Sequence, residues 1–219
     1  MSRVLLADDH PLFRQALRTA VSLAQPHLAI EEVGTLLAAR TALSRQQNFA
    51  LILLDLKMPD CGGFSGLLTL RSEYPQIPIL VVSGSETPAI VSKAIALGAA
   101  GFIPKSASVS EIGKAVSTVL AGDIWTPAST PATQPVPDFV NAVASLSPSQ
   151  LRILMALQRG LLNKQIAHEM GVTEATVKAH MTIMFRKLRV QNRTQALIAA
   201  QAVSLDGEQV TELDGNPAP

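Results

Sequence analysis

Short runs of aliphatic residues recur along the first 122 positions, and each is followed by a segment with helical spacing. Runs this short and this rich in Val, Ile and Leu are typical of strands buried on both faces. They lie at about 3–8, 28–33, 50–55, 78–83 and 100–103. The helical patterns lie at about 11–24, 35–46, 63–74, 87–97 and 108–121. Alternation of five strands with five helices predicts an α/β fold with a five-stranded, doubly wound parallel sheet.

The pattern changes in the middle of the chain. Residues 126–138 read TPASTPATQPVPD, with four prolines and no apolar periodicity. Such a segment predicts a semi-extended linker, because long unstructured loops are uncommon inside compact domains. Beyond it, apolar spacing and capping residues predict a smaller all-α domain. Its four helices are expected at about 148–159, 163–170, 174–188 and 194–203.

These patterns divide the chain into four parts. We predict one domain over 1–122, a linker over 123–143 and a second domain over 144–204. The last part, 205–219, is acidic and rich in Gly and Pro, which predicts disorder.

Charge separates the two domains. The first 122 residues carry ten positive and nine negative side chains, whereas residues 145–203 carry eight positive and two negative ones, a net charge of +6. A basic domain joined to a neutral one suggests contact with a polyanion.

The single cysteine, Cys61, excludes an internal disulfide and a cysteine-rich zinc site. No apolar run approaches the roughly 20 residues of a membrane helix and no leader is evident, so we predict a cytoplasmic protein without membrane contact.

Polar side chains collect where the predicted strands end. Asp8 and Asp9 follow the first strand, Asp55 ends the third, Ser83 ends the fourth and Lys105 follows the fifth. The carboxyl edge of a parallel sheet is where ligands bind. A carboxylate there can attack a phosphoryl group if Mg²⁺ and a lysine offset the negative charge. Each residue alone is more commonly a turn or surface residue, and their joint placement favours a site.

One alternative is an Mg²⁺-dependent phosphohydrolase with an aspartate nucleophile. Such an enzyme normally needs a second acid, often two residues past the nucleophile. That position is Lys57 in this chain, which argues against turnover. We therefore expect a phosphoryl acceptor with at most slow autophosphatase activity.

The predicted helix at 174–188 has one apolar and one basic face, and its apolar face is expected in the core. That face consists of Val177, Met181, Met184, Phe185 and Leu188. A short helix, a turn and this longer helix follow a helix-turn-helix layout.

Lys178 and Thr182 could reach base edges. Contacts to phosphates are expected from Lys164, Thr176, Arg186 and Lys187. Two alternatives remain, a helical bundle with a solvated charged face and a protein-interaction regulator without DNA binding.

Residues 1–122 resemble the receiver domain of bacterial two-component response regulators, which has a flavodoxin-like fold. The matching motifs are VLLADDHPLFR, LILLDLKMPDCGG, ILVVSGS and GAAGFIPKS. The resemblance implies that Asp55 is the phosphoacceptor and that Ser83 and Lys105 contact the phosphoryl group. It assigns Mg²⁺ to Asp8, Asp9, Asp55 and the backbone carbonyl of Lys57. It also implies that Phe102 is the switch aromatic residue.

Residues 146–203 resemble the LuxR-type helix-turn-helix of NarL/FixJ-type regulators. The matching motifs are LSPSQLRIL, GLLNKQIAHEMGVTEATVKAHMTIMFRKL and NRTQAL, and His180 matches the histidine of that pattern. Gln150 departs from it, since the family usually has a glutamate there. The resemblance implies a sensor histidine kinase as partner, binding to double-stranded DNA and a homodimer on DNA. It also implies an inactive state in which the receiver covers the recognition helix. Separately, the small and apolar residues at 196–203 are a candidate dimer surface, with packing inside the helical domain as the alternative for at least part of that face.

Overall fold

The strands and helices of the first half alternate as the hydrophobic pattern predicts. The computed structural model describes residues 2–46, 48–128 and 136–204, apart from the side chains at 199 and 202–204. The predicted disordered tail, 205–219, and part of the predicted linker, 129–135, lie outside the described residues. The strands are β1 (Arg3–Ala7), β2 (Ala29–Val33), β3 (Phe49–Asp55), β4 (Ile79–Ser83) and β5 (Gly101–Pro104). The helices between and after them are α1 (Pro11–Ala24), α2 (Leu36–Arg45), α3 (Phe64–Glu73), α4 (Pro88–Ala96) and α5 (Val109–Leu120).

All five strands pair in parallel, in the order β2-β1-β3-β4-β5. The sheet is buried on both faces because one cluster of apolar side chains lies under α2, α3 and α4 and another lies under α1 and α5. The predicted doubly wound fold is therefore confirmed. This order places β1 beside β3 and β3 beside β4, so the residues that follow these strands meet at one edge.

The second half consists of five helices in the described residues, where the sequence pattern predicted four. They are α6 (Asp138–Ala144), α7 (Pro148–Gln158), α8 (Asn163–Met170), α9 (Glu174–Leu188) and α10 (Arg193–Ser204). The extra helix, α6, falls in the segment assigned to the linker, 123–143, where the sequence pattern predicted no helix. Val140 and Val143 are buried one turn apart, and their tertiary packing stabilises the helix. The prolines that precede it had indicated an extended segment instead.

Local capping explains where several helices begin. Ser147 and Gln150 form a reciprocal capping box at the start of α7, in which Gln150 Oε1 accepts from the Ser147 backbone N–H at 3.1 Å. Gln150 is buried. The glutamine at this position therefore keeps the hydrogen bond that a glutamate would make. Ser108 and Glu111 form the same motif at the start of α5.

The α/β half and the helical half pack against one another. α3 contacts α7 and α10, and α4 contacts α6. Arg71 of α3 joins these parts, because its guanidinium donates to the carbonyl of Leu97 after α4 at 2.9 Å and to that of Ala144 in α6 at 3.2 Å. Burial lowers the pKa of Arg71. α6 in turn contacts α9, so a continuous series of helices runs from α4 to α9.

Over the part of the chain that the structure describes, no helix combines the length and the apolar character needed to cross a membrane.

Candidate functional site

Three carboxylates meet at the carboxyl edge of the sheet. Asp55 is the last residue of β3, and Asp8 and Asp9 directly follow β1, which pairs with β3. The side chains of Asp8 and Asp55 are fully buried, and that of Asp9 is 29% exposed. Burying carboxylates is unfavourable unless a cation or hydrogen-bond donors compensate, so this arrangement calls for a positive partner.

Lys105, directly after β5, supplies that partner. Its Nζ lies 2.7 Å from Asp8 Oδ2 and 2.8 Å from Asp55 Oδ2. Burial disfavours the ammonium and by itself lowers the pKa of Lys105. The hydrogen bonds and electrostatic attraction of Asp55 and Asp8 outweigh that effect, and the pKa is raised. Lys105 is therefore a cation that links the two buried acids.

Backbone groups orient the same two acids. The N–H of His10 donates to Asp8 Oδ1 at 2.7 Å, and the N–H of Lys57 donates to Asp55 Oδ1 at 2.9 Å. Hydrogen bonds from fixed backbone donors hold each carboxylate in one orientation. The second oxygen of each carboxylate then faces Lys105.

The cluster has the composition of a divalent-cation site. Asp8, Asp9, His10 and Asp55 each offer one ligand atom, and these atoms lie within 4.8 Å of one another. Asp8 Oδ2 and Asp9 Oδ1 are buried and have no well-aligned hydrogen-bond partner among the described residues, although Lys105 and His10 approach them to 2.7 Å as ionic partners. Oxygen donors of this kind suit Mg²⁺. The residues present therefore fit a magnesium ion.

Two more of the predicted site residues, Ser83 and Phe102, occupy different parts of the receiver half. Ser83 ends β4, is buried, and its Oγ accepts from the Ser85 N–H at 3.2 Å. The Ser83 carbonyl accepts from the Lys105 N–H at 2.8 Å, which ties the two residues together. The Phe102 side chain is fully buried in the core under α2, α3 and α4. The structure thus places Ser83 at the carboxyl edge and Phe102 inside the core.

His10 is a further member of the cluster, which was not among the predicted site residues. Its side chain is 63% exposed, and Nδ1 lies 2.7 Å from Asp9 Oδ1, 3.6 Å from Asp8 Oδ1 and 3.8 Å from Asp55 Oδ2. The available signal was its position directly after Asp9, since a histidine next to two acids is a common metal-ligand pattern.

A second candidate surface lies on α9. Gly171, with φ of +66°, ends α8 in the left-handed conformation, and Thr173 caps α9 by accepting from the Thr176 N–H. The apolar residues Val177, Met181, Met184 and Leu188 are buried and Phe185 is half-buried, as the amphipathic pattern predicts. This packing turns the opposite face of α9 outward.

Four of the six residues predicted to contact DNA are exposed, three of them on the outward face of α9. Lys178, Thr182 and Arg186 are exposed on α9, and Lys164 is exposed on α8. Lys178 Nζ lies 3.2 Å from Glu174 Oε1, in a pair at the helix surface. The main contacts of the α/β half with the helical half are made to α7, α10 and α6.

The remaining predicted DNA contacts are less accessible. Lys187 is half-buried and its Nζ donates to the carbonyl of Ser145 at 2.7 Å, so it braces α9 against the end of α6. Thr176 is half-buried and its Oγ1 lies 2.8 Å from Thr173 Oγ1. His180 is also half-buried. For these residues a structural contribution accompanies any contact with nucleic acid.

Part of the candidate dimer surface faces inward. Ala196 and Ala200 of α10 are buried, whereas Ile198 is 62% exposed. The side chains at positions 199 and 203 lie outside the described ones. α10 packs on α7 and α3, so only its outer side is open to a second chain.

Comparison with known proteins divides the chain into two matched regions. The family described as "Response regulator receiver domain" matches residues 4–117. The family described as "Bacterial regulatory proteins, luxR family" matches residues 144–200. Together the two matches span both halves of the structure.

Similar proteins match this chain over most of its length. The glycerol metabolism activator of Pseudomonas putida is 37% identical over 213 residues, covering 91% of this chain and 95% of that protein. The nitrate/nitrite response regulator NarL of Escherichia coli K12 is 31% identical over 201 residues, covering 89% of this chain and 93% of NarL. Among solved structures, RcsB of Salmonella enterica serovar Typhimurium, bound to a promoter with the phosphomimetic BeF3-, matches with a TM-score of 0.55 at 22% identity. It covers 92% of this chain and 98% of RcsB, and at this identity the match concerns the fold alone.

Proposed function

Because the chain belongs to the response regulators that join a receiver domain to a LuxR-family regulatory domain, we propose that it is a phosphorylation-controlled transcription regulator. Asp55 accepts a phosphoryl group from a sensor histidine kinase, and the helical domain binds promoter DNA. A single observation carries the proposal. Three acids meet at the carboxyl ends of two adjacent strands, and two of them, Asp8 and Asp55, contact the ammonium of Lys105, in a chain that also presents an exposed basic helix.

The phosphoacceptor assignment follows from chemistry at the sheet edge. Asp55 is the only one of the three acids that lies at the end of a strand and has one oxygen fixed by a backbone N–H, the other by Lys105. A carboxylate oxygen in this setting can attack phosphorus and form an acyl phosphate. Lys105 offsets the negative charge that accumulates on the transferring phosphoryl group.

We assign the metal to Asp8, Asp9, Asp55 and the backbone carbonyl of Lys57. When bound, Mg²⁺ neutralises the mutual repulsion of the acids and the incoming phosphoryl group. The chain's own residues position the reactants. Backbone N–H groups hold Asp8 and Asp55, and the hydroxyl of Ser83, the last residue of β4, donates a hydrogen bond to the phosphoryl group.

The signal then passes from the sheet edge to α9. Ser83 moves toward the acyl phosphate, which biases an existing two-state equilibrium of the receiver domain. Phe102 is already fully buried, so the expected inward movement of its ring has no room to occur from this state. The contacts of α4 with α6, and of α6 with α9, give this change a direct structural path. Arg71 supports the path because it binds the carbonyl ends of both α4 and α6.

DNA binding uses the outward face of α9 in the major groove. Lys178 and Thr182 contact base edges, while Lys164, Thr176, Arg186 and Lys187 contact phosphates. The net charge of +6 over 145–203 supports this assignment. The regulator acts as a homodimer through the exposed side of α10, in the cytoplasm where its DNA target lies.

The proposal is tested by comparing the wild-type protein with Asp55→Asn in chromatin immunoprecipitation and in gel shifts after treatment with a small phosphodonor and Mg²⁺. An amide cannot form the acyl phosphate, so the treated wild-type protein should gain affinity for its promoters while the variant should not. Equal gain in both proteins would show that Asp55 is not the control point.

A further inference from the structure

The centre that we assign to magnesium contains a fourth donor of a different chemical type. His10 lies among Asp8, Asp9 and Asp55, and its imidazole Nδ1 belongs to the same group of ligand atoms within 4.8 Å. We infer that His10 gives this centre a nitrogen ligand. The centre then takes divalent transition ions that favour imidazole, such as Co²⁺, more tightly than Mg²⁺. This inference rests on the proposed magnesium centre and adds to it.

The distances suit simultaneous contact with one ion. Nδ1 lies 2.7 Å from Asp9 Oδ1, 3.6 Å from Asp8 Oδ1 and 3.8 Å from Asp55 Oδ2. Ligand atoms at about 2.1 Å from an octahedral ion stand roughly 3.0–4.2 Å from each other. The separations of Nδ1 from the three acids fall close to this range. Small side-chain rotations are therefore enough for His10 to join the carboxylates around an ion.

The His10 ring has no competing structural task among the described contacts. Its residue occupies the N-cap of α1, but the side chain makes no capping hydrogen bond there. The backbone N–H of His10 is bound to Asp8 Oδ1 at 2.7 Å, which fixes the point where the side chain begins. The ring itself is 63% exposed and its Nδ1 faces the acids. The contacts given for the ring are all with members of the centre itself, Asp8, Asp9, Asp55 and Lys105, so the ring is well placed to bind an ion there.

The ammonium of Lys105 and the imidazole of His10 have different closest partners among the carboxylate oxygens. The ammonium contacts Asp8 Oδ2 and Asp55 Oδ2, while the closest partner of the imidazole is Asp9 Oδ1. Lys105 Nζ and His10 Nδ1 are 3.4 Å apart. The ammonium and the imidazole have Asp55 Oδ2 as a common neighbour, at 2.8 Å and 3.8 Å, but the closest oxygen to each is a different one.

Donor chemistry sets the selectivity. Carboxylates and water suit Mg²⁺, whereas imidazole suits cobalt, nickel, zinc and copper. Three carboxylates alone already bind transition ions more strongly than Mg²⁺, and a nitrogen donor widens the difference. Removing the imidazole should therefore weaken Co²⁺ binding much more than Mg²⁺ binding.

The test is isothermal titration of the full chain with Co²⁺ and separately with Mg²⁺, in wild type, His10→Ala and the control His27→Ala. The visible d–d spectrum of bound Co²⁺ provides a second readout that depends on nitrogen ligation. His27 is an exposed histidine outside the centre, so its removal controls for unspecific imidazole binding. Because His10 is exposed and its ring does not cap α1, the substitution leaves the fold intact, and circular dichroism verifies this.

We expect His10→Ala to lose at least about tenfold in Co²⁺ affinity, the lower end of what changes around metal sites cost, and to change its d–d spectrum. Mg²⁺ affinity should stay within about twofold, because Mg²⁺ prefers oxygen, and His27→Ala should match wild type. An unchanged ratio of Co²⁺ to Mg²⁺ affinity in His10→Ala would overturn the inference while leaving the magnesium centre in place. If wild type bound neither ion, the proposed magnesium centre would itself be wrong.

Discussion

Replacing Lys105 by methionine removes the one ammonium that contacts both buried acids. Methionine keeps the length and apolar character of the side chain, so the substitution mainly deletes charge. Asp8 and Asp55 remain fully buried, and each loses an ionic partner at 2.7–2.8 Å. Asp9 adds a third negative charge nearby. We therefore expect a marked loss of stability in the receiver domain.

The magnitude follows from burial. Removing one member of a buried ion pair typically costs about 3–5 kcal/mol, because the remaining charge is left uncompensated. The Lys105 side chain is 19% exposed, so water screens part of the interaction. We expect a loss of about 2–4 kcal/mol in the free energy of unfolding. With a urea dependence of about 2 kcal/mol per molar, the unfolding midpoint should fall by about 1–2 M.

Urea titration followed by tryptophan fluorescence measures this loss. Trp125 is the only tryptophan of the chain, and its backbone pairs with β5, so it reports on the receiver domain. Lys114→Met is the matched control, since Lys114 is an exposed lysine on α5. Added Mg²⁺ should stabilise Lys105→Met more than wild type, because a divalent cation replaces the missing charge. A loss below about 1 kcal/mol, or an equal loss in the control, would refute the reasoning.

The pH dependence has a definite sign. The pKa of Lys105 is raised by Asp55 and Asp8, whose attraction exceeds the opposing effect of burial. The stabilisation is therefore complete below the unfolded-state pKa of about 10.4 and is lost as the pH rises through the higher folded-state pKa. The stability gap between wild type and Lys105→Met should be constant between neutral pH and about pH 10 and should close above that. A gap that closes at neutral pH would contradict the assignment.

Three further substitutions test other parts of the structure. Arg71→Met removes the donor to the carbonyl groups at the ends of α4 and α6. Hydrogen exchange of the backbone amides in α6 should accelerate, and the free energy of unfolding should fall by about 1–3 kcal/mol. Unchanged exchange would mean that the two domains do not meet there in solution. Ser147→Ala removes the N-cap of α7 and should lower the free energy of unfolding by about 1 kcal/mol. Urea unfolding followed by circular dichroism measures this loss, and a value near zero would contradict the capping box. Lys178→Ala should weaken promoter binding by about 1–3 kcal/mol in gel shifts. The control is Arg45→Ala, which changes an exposed arginine of the receiver domain and should leave promoter binding unchanged. Equal promoter affinities of the two variants would argue against placing α9 in the groove.

The sheet and most helices follow from local sequence. Runs such as 50–55 are buried on both faces whatever their neighbours, and helix starts such as Ser147-Pro148 are fixed by capping chemistry. The acids could be predicted to converge because parallel strands end at one edge. These features depend on period and end residues, which a sequence displays directly.

Other features depend on tertiary packing and were missed. α6 was hidden by the prolines before it, since only contact with α4 and α9 explains why seven residues form a helix there. The half-buried position of Lys187 depends on the carbonyl of Ser145, which the helical pattern of α9 alone does not reveal. The proximity of His10 to Asp55 also requires the fold of the turn after β1.

The central claim is that Asp55 takes up the phosphoryl group in a centre completed by Mg²⁺. Peptide mapping by mass spectrometry, after treatment with acetyl phosphate and Mg²⁺, tests it most directly. We expect the mass of one phosphoryl group on the peptide that contains Asp55 in wild type, and no such mass in Asp55→Asn or when the metal is chelated. A label on another residue, or an equal label in Asp55→Asn, would contradict the account.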